Sequence, residues 1–267
     1  MRADLYLVQN HHADSRTLAQ KLIADGAVTV DGRVLRKPSE EIPEGDHTVT
    51  VATTADTRYV GRGGLKLEAA IAAFPVSVQG GIFADIGAST GGFTDCLLQN
   101  GAARVYAVDA GHGQLHPRLL ADPRVRSAEG VNARGLTPAQ LGDIEAAWRE
   151  AHPEAPAQDF DGQVDGIVMD VSFISQTLLH PALASILREG GWMIALVKPQ
   201  FELTRSALNK QGVVKQEKDR RAAVEKVLSS AAACGFEAVS VIPSPIEGGD
   251  GNKEFLAYFR RKATPQQ

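Results

Sequence analysis

The sequence predicts two parts: a doubly wound α/β domain over residues 64–262, preceded by a small α+β unit over residues 1–52. Three observations carry this. From Gly64 onward strand-like and helical runs alternate, the rhythm of a parallel sheet with crossover helices. Several apolar runs in that region end on a charged residue: Asp85, Asp109, Asp170 and Lys198. Before it, helix, helix and hairpin follow in that order, and a polar stretch then separates the parts.

In the first part an amphipathic helix is expected over Ala3 to Gln9 and a second from Ser15 to Asp25, with Ser15 as N-cap and Gly26 closing the C-terminal end. Asp31-Gly32, between short strands at 27–30 and 33–35, reads as a tight hairpin turn. Residues 53–63, polar and weakly patterned at their start, read as a linker. The second part is expected to hold a helix through Ala73, strand 82–86, helix 91–100, strand 103–108, strand 164–169 and helix 175–187. Strand 192–197, helix 216–234 and strands 237–242 and 254–260 follow. Trp148 to Gln163, with prolines and acids but no period, reads as a surface insertion, and Phe201 to Lys215 as a lid.

Gly87-Ala88-Ser89-Thr90-Gly91-Gly92 lies between the strand ending at Asp85–Ile86 and the helix that follows. Glycines there let the backbone turn sharply and approach a ligand, and the helix start presents unpaired N–H groups. Asp109 ends the next strand, where a carboxylate accepts hydrogen bonds from ribose hydroxyls. Together these indicate an adenosyl cofactor of unspecified kind. The spacing departs from G-x-G-x-x-G, since Ser89 stands where a dinucleotide needs glycine for its pyrophosphate. S-adenosylmethionine has no phosphate, and Asp85 would favour its cationic end, so this cofactor is preferred to a nicotinamide.

Bulk properties narrow the classes. With 267 residues and 43% hydrophobic composition the chain can bury a full core. A net charge of −4 does not mark a basic nucleic-acid binder, so any RNA contact must come from a local patch. Cys96 and Cys234 stand far apart without a C-x-x-C, so neither a metal site nor a disulfide is expected and a reducing cytoplasm fits. Apolar runs such as Trp192 to Val197 fall well short of the roughly 20 residues that span a bilayer, and no membrane entry is expected.

In the first part Arg16 and Lys21 lie on the second helix, and Arg33, Arg36 and Lys37 lie within or just after the hairpin. Folding would gather these five cations on one face, as a phosphate backbone requires. The pattern Ser15-Arg16, Ala19, Leu22-Ile23, Gly26 to Gly32, then Lys37-Pro38-Ser39 resembles the alpha-L (S4-like) RNA-binding domain. That resemblance implies recognition of structured RNA by shape and backbone.

Lys66, Asp170, Lys198 and Glu254 stand at suggestive places in the second part. Asp170 and Lys198 end strands, and should face the crevice beyond the carboxyl ends of the sheet together with Asp85 and Asp109. Glu254 opens its strand, which suits an antiparallel strand running back from that crevice. A ribose hydroxyl is a poor nucleophile until its proton is removed, and a lysine amine removes it only when neutral, which burial or a second cation favours. Lys66 would be that cation, with Asp170 and Glu254 orienting the amines.

This order resembles the K-D-K-E tetrad of the FtsJ-like ribose 2′-O-methyltransferases. With the first part and the junction Tyr59-Val60-Gly61-Arg62-Gly63-Gly64-Leu65-Lys66, the chain resembles the TlyA family almost end to end. The resemblance implies a Rossmann-like domain that uses S-adenosyl-L-methionine to methylate cytidine 2′-hydroxyls of ribosomal RNA, with ribosomal subunits as partners. It further implies that Asp85, Gly87, Ser89, Gly91, Gly92 and Asp109 hold the cofactor, with Asn132 near the adenine. The family also carries the label hemolysin, so a membrane-active protein without catalysis is the alternative reading.

Overall fold

Two helices and three short strands make up the first of two units, Met1–Arg58, in the computed structural model, which describes residues 1–13, 15–52, 54, 57–155, 159–248 and 251–263. Helix α1 spans Ala3–Gln9, α2 Arg16–Ala24, and strands β1, β2 and β3 span Val28–Val30, Arg33–Val34 and Val49–Val51. The Ser15 hydroxyl accepts from the Leu18 N–H at 3.2 Å, capping α2 as expected. Asp31 and Gly32 both have positive φ, 52° and 78°, which is the type I′ geometry that joins β1 to β2 without splaying them.

Beneath the helices Leu7, Leu22, Ile23, Val28, Leu35 and Ile42 form the core of this unit. Asp4, fully buried, accepts from Arg2, Arg16 and Gln20, and the Arg2 guanidinium above all holds its carboxyl far below the usual range. This pins α1 to α2. Strand β3 was not expected. It pairs antiparallel with β1, Val28 opposite Val51, so β1 is the central strand. Three residues, Val49-Thr50-Val51, are too few to show alternation, and only the open edge of β1 makes them a strand.

The second unit is Tyr59–Gln267. The expected linker therefore divides. Residues 53, 55 and 56 lie outside the described residues, whereas Tyr59 is buried with its hydroxyl donating to Glu68, and the Val60 N–H donates to Asp95 at 2.9 Å. Composition shows where polar residues begin; packing decides where a domain does.

Its elements are α3 (Gly63–Ala73), β4 (Ile82–Ile86), α4 (Gly92–Gln99), β5 (Arg104–Asp109), α5 (Pro117–Leu120), β6 (Val125–Glu129) and α6 (Pro138–Ala151). Then come β7 (Val164–Met169), α7 (His180–Ile186), β8 (Leu187–Val197), α8 (Pro199–Glu202), α9 (Glu217–Ala233), β9 (Phe236–Pro243) and β10 (Phe255–Arg261). Seven strands form one sheet in the order β6-β5-β4-β7-β8-β10-β9. β4 to β8 run parallel, and β10 runs antiparallel to both its neighbours.

Strand alternation divides the interior. Phe83, Val105, Val168, Ile194 and Leu256 pack on one face with Leu67 of α3 and Leu97 of α4. Ile86, Tyr106, Ile167, Met193 and Phe259 pack on the other with Leu141, Leu183 and Val227 from α6, α7 and α9. The sheet is doubly wound. Its strand order reverses at β4, so the crevice beyond the carboxyl ends of β4 and β7 is the topological switch point, where such folds bind ligands.

Strand β6 and most of α6 were not expected. β6 is largely polar, Val125-Arg-Ser-Ala-Glu129, yet it closes one edge of the sheet, and its Arg126 is buried between Glu145 at 2.8 Å and the ring of Trp148 at 3.3 Å. The surface insertion placed at Trp148 to Gln163 needs correction. Trp148 to Ala151 complete α6, which starts with a Thr137/Gln140 capping box, and Phe160 stacks on Tyr106 at 4.9 Å; residues 156–158 lie outside the described residues. The expected lid, 201–215, is anchored at its far end. Buried Asn252 accepts from the Val214 N–H at 3.0 Å and donates to the Gly212 carbonyl at 3.1 Å.

Candidate active site

Strand β4 delivers Asp85 to the switch point, and the chain then turns through Gly87 to Gly92 into α4. Gly87 has φ 81°, and a Cβ there would stand 2.6 Å from the Asp170 carbonyl oxygen. A Cβ on Gly92 would stand 3.0 Å from Gly61 O and Gly64 N, so the 61–64 segment lies against the 87–92 loop and both form one cradle. Asp85 is fully buried. One carboxylate oxygen, Oδ2, accepts both the N–H and the hydroxyl of Thr94, at 2.9 and 2.7 Å, while Oδ1 is buried with no hydrogen-bond partner. Burial pushes its pKa up to about 7 against the pull of Thr94, and the Asp170 and Asp109 charges add to the rise.

Two cavities meet at this cradle. The larger, about 360 Å³, lies between Ser89, Asp109, Asn132, Phe173, Ile174 and Leu179. The smaller, about 190 Å³, lies between the 61–63 backbone, Asp85, Phe93 and Lys198. Gly87, Ser89, Asp170 and Ser172 border both. A nucleoside fits the first, and a short charged chain fits the second, where the unpartnered Asp85 oxygen calls for a donor. Ser89, Gly87 and Asp109 all border the larger cavity. Gly91, with φ 94°, starts α4 packed against Leu119.

Asp109 already takes two backbone donors, Ser89 N–H at 2.8 Å and Gly111 N–H at 2.7 Å. Its carboxylate therefore shapes the loop as well as bordering the cavity. Asn132 borders the same cavity and caps a short turn by accepting from the Arg134 N–H at 3.0 Å. Sequence reasoning missed Glu129 and Gln114. Glu129, at the end of β6, accepts from the Gly113, Gln114 and Leu115 N–H groups, which lower its pKa, and the Gln114 side chain accepts from the Ser89 hydroxyl. The available signal was an acid ending a third strand, hidden because that strand was not recognised.

The tetrad resolves into two ion pairs. Lys66, on the first turns of α3, donates to Glu254 at 2.6 Å, and both are buried. Lys198 stands 2.6 Å from Asp170 Oδ1 and donates to the Ser172 hydroxyl at 2.8 Å. Phe255 pairs with Val197 across the antiparallel β10–β8 ladder, so Glu254 and Lys198 lie one step further on, at the same end of the sheet. Glu254 opens a strand running back from the crevice, as its position suggested. Of the two lysines, Lys198 borders the smaller cavity. Phe173 stands at the mouth of the larger one with φ 64° and 92% of its surface exposed, its ring 5.2 Å from that of Phe201.

In the first unit the five expected RNA-contacting cations differ. Arg16 is held by Asp4 and Arg33 by Glu40 at 2.7 Å, and Lys21 lies on α2. Arg36 and Lys37 are exposed, and their backbone N–H groups bind the Glu40 carboxylate, presenting both side chains on one turn.

A seven-stranded sheet with one antiparallel strand, glycine cradle and strand-end acids defines a nucleoside-dependent transferase of the methyltransferase class. The chain belongs to the FtsJ-like methyltransferase family, which residues 59–261 match, while residues 1–47 match the S4 domain. It is 43% identical over 259 residues to the candidate rRNA methyltransferase YqxC of Bacillus subtilis, covering 97% of this chain and 85% of that one. It is 39% identical to the 16S/23S rRNA (cytidine-2′-O)-methyltransferase TlyA of Mycobacterium tuberculosis, covering 97% and 89%. A solved structure of a candidate hemolysin from Streptococcus thermophilus superimposes with a TM-score of 0.71 at 40% identity, covering 100% of this chain and 90% of that one. Among the described residues no helix is long and apolar enough to cross a membrane.

Proposed function

We propose that this protein methylates the 2′-hydroxyl of cytidine in ribosomal RNA, within ribosomal subunits in the cytoplasm, using S-adenosyl-L-methionine. The observation that carries the reading is Lys198, held by Asp170 and Ser172 beside the cavity that Asp85 closes. The bound cofactor supplies an electrophilic methyl group. Asp109, Asn132 and Gly87 would hold its nucleoside, and Asp85, with its unpartnered Oδ1, would attract its cationic end. The Lys198 amine donates to the Ser172 hydroxyl and sits 2.6 Å from the Asp170 carboxylate, which leaves a position on the nitrogen for the incoming hydroxyl. In its neutral form the amine takes the hydroxyl proton there, and Asp170, 23% exposed, passes that proton to water. Lys66 and Glu254 hold the adjoining end of the sheet rigid. Phe173 offers an exposed aromatic face at the mouth on which a base drawn out of its stack can lie.

The test incubates purified protein with methyl-labelled S-adenosylmethionine and separated small and large subunits from a strain lacking the modification. The expected label enters RNA and survives alkaline hydrolysis at one linkage, because a methylated 2′ oxygen cannot attack the neighbouring phosphate. Cofactor binding without incorporation into either subunit would refute the ribosomal acceptor.

Arg36 and Lys37 are the cations of the first unit best placed for phosphate. Changing both to Ala is expected to weaken RNA binding and flatten its dependence on salt by roughly 0.7–0.9 in the log–log slope per lost contact. Binding titrations from low to physiological salt measure this, and an unchanged slope would place docking elsewhere. Arg16 is a poorer probe, because its removal also strips a partner from buried Asp4.

A further inference from the structure

Two segments leave the carboxyl ends of neighbouring parallel strands and run side by side over the crevice: 170–176 after β7 and 198–202 after β8. They are joined at three points. Lys198 meets Asp170 and Ser172; the Phe201 ring packs against Phe173 at 5.2 Å; and Glu202 accepts from the Ser175 hydroxyl at 2.5 Å and from the Gln176 N–H at 2.9 Å. The first joint holds the amine and the second steadies the exposed ring. The third is chemically separate from the cavities, since Glu202 borders neither.

Glu202 is 5% exposed. Burying a carboxylate away from water is costly unless several donors compensate it. Besides the two donors from 170–176, Lys226 of α9 stands 3.5 Å from Oε2 and donates to the Glu202 carbonyl at 2.6 Å. One side chain thus joins the β7 loop, the β8 turn and α9, four residues from Lys198 on a single helical turn.

We propose that Glu202, through Ser175, is a positioning residue for methyl transfer: it locks the β8 turn to the β7 loop, so that the Lys198 amine and the Phe173 ring are held in one mutual arrangement. This rests on the reading of Lys198 given above. Without the carboxylate the β7 loop keeps one long tie to β8, from the Gln176 side chain to the Leu196 carbonyl at 3.4 Å, and the turn itself is held to that loop mainly by the groups that engage substrate, so their spacing loosens. A displacement on the order of 1 Å in such an arrangement lowers a rate by about a hundredfold.

The test compares wild type, Glu202→Gln, Ser175→Ala and the double variant in single-turnover transfer to ribosomal subunits at saturating RNA and cofactor. Cofactor affinity, RNA affinity and melting temperature are measured alongside. Glutamine keeps the volume but can accept only through one oxygen, and Ser175→Ala removes the donor to Glu202 together with the hydroxyl that caps the next turn at Thr177, with little change in packing volume. Each is expected to slow transfer by about tenfold to a hundredfold. Cofactor and RNA dissociation constants should stay within about twofold, and the double variant should be no slower than the slower single, because both break one joint. Rates within twofold of wild type, or a double variant whose losses multiply, would overturn the proposal even if melting temperature falls, because a purely structural carboxylate moves stability alone. Should Glu202→Gln fold poorly, Ser175→Ala alone decides. A wild-type protein that transfers no methyl group refutes the underlying reading; an active wild type with unaffected variants refutes only the role of Glu202.

Discussion

Lys198→Ala is expected to reduce single-turnover methyl transfer by about 10²- to 10⁴-fold, the range contributed by a positioned general base. Both the cofactor and RNA dissociation constants should remain within about twofold. Lys66 cannot substitute, because its amine is 2.6 Å from buried Glu254 and it does not border the cavity. Lys198→Arg should restore nothing, since a guanidinium is always protonated and cannot accept a proton. The two lysines separate by stability as well. Removing Lys66 strands Glu254, whose side chain is 2% exposed, and is expected to cost about 3–5 kcal/mol. Removing Lys198 leaves Asp170, whose side chain is 23% exposed although its Oδ1 is buried, and should lower the melting temperature less than removing Lys66 does. A Lys198→Ala protein retaining more than a tenth of the wild-type rate would show that another group takes the proton.

Asp85 carries the second large effect, on binding. A carboxylate favours the cationic end of the cofactor only when ionised, and burial holds Asp85 up near pH 7. As pH falls below that value the group is protonated before it can bind, so affinity should weaken by up to about tenfold per unit between pH 7 and 5.5. The sign follows from the shift being upward: in the cofactor-free protein the folded state holds this proton more tightly than the unfolded chain. The same group therefore removes folding stability as pH rises from about 4 through 7, and cofactor binding releases a proton. Asp85→Asn keeps an oxygen for Thr94 but loses the charge. It is expected to weaken binding by about 1.5–3 kcal/mol, or roughly 10- to 150-fold, and to flatten the pH profile. Calorimetry between pH 5.5 and 7.5 measures both, and a flat wild-type profile would remove Asp85 from the cofactor's cationic end.

Much of this was legible in the chain because local chemistry and local periodicity coincide. Gly87 and Asp85 are adjacent to a strand end, and such a turn has few uses that need both a glycine and a buried acid. Asp170 and Lys198 end apolar runs, and Glu254 opens one, so a parallel sheet with one returning strand already puts them at one end of the sheet. Strand β6 was not legible, because Val125-Arg-Ser-Ala-Glu129 has no apolar alternation to report and one of its buried side chains is the charged Arg126. Its loss concealed Glu129 and, through the backbone it holds, Gln114. Glu202 was visible only as one more acid after a strand.

The sequence by itself determined the α/β winding, the small helical and hairpin unit, the glycine turn after β4 and the charged residues at the strand ends, since each depends on neighbours within a few residues. The tertiary structure decided how the tetrad pairs, which lysine reaches the cavity, and which acids serve the backbone rather than a ligand. Lys66 and Glu254 are 188 residues apart. No local pattern links such partners, and only the packing of α3 against the end of the sheet brings one buried charge to the other and leaves Lys198 facing the crevice.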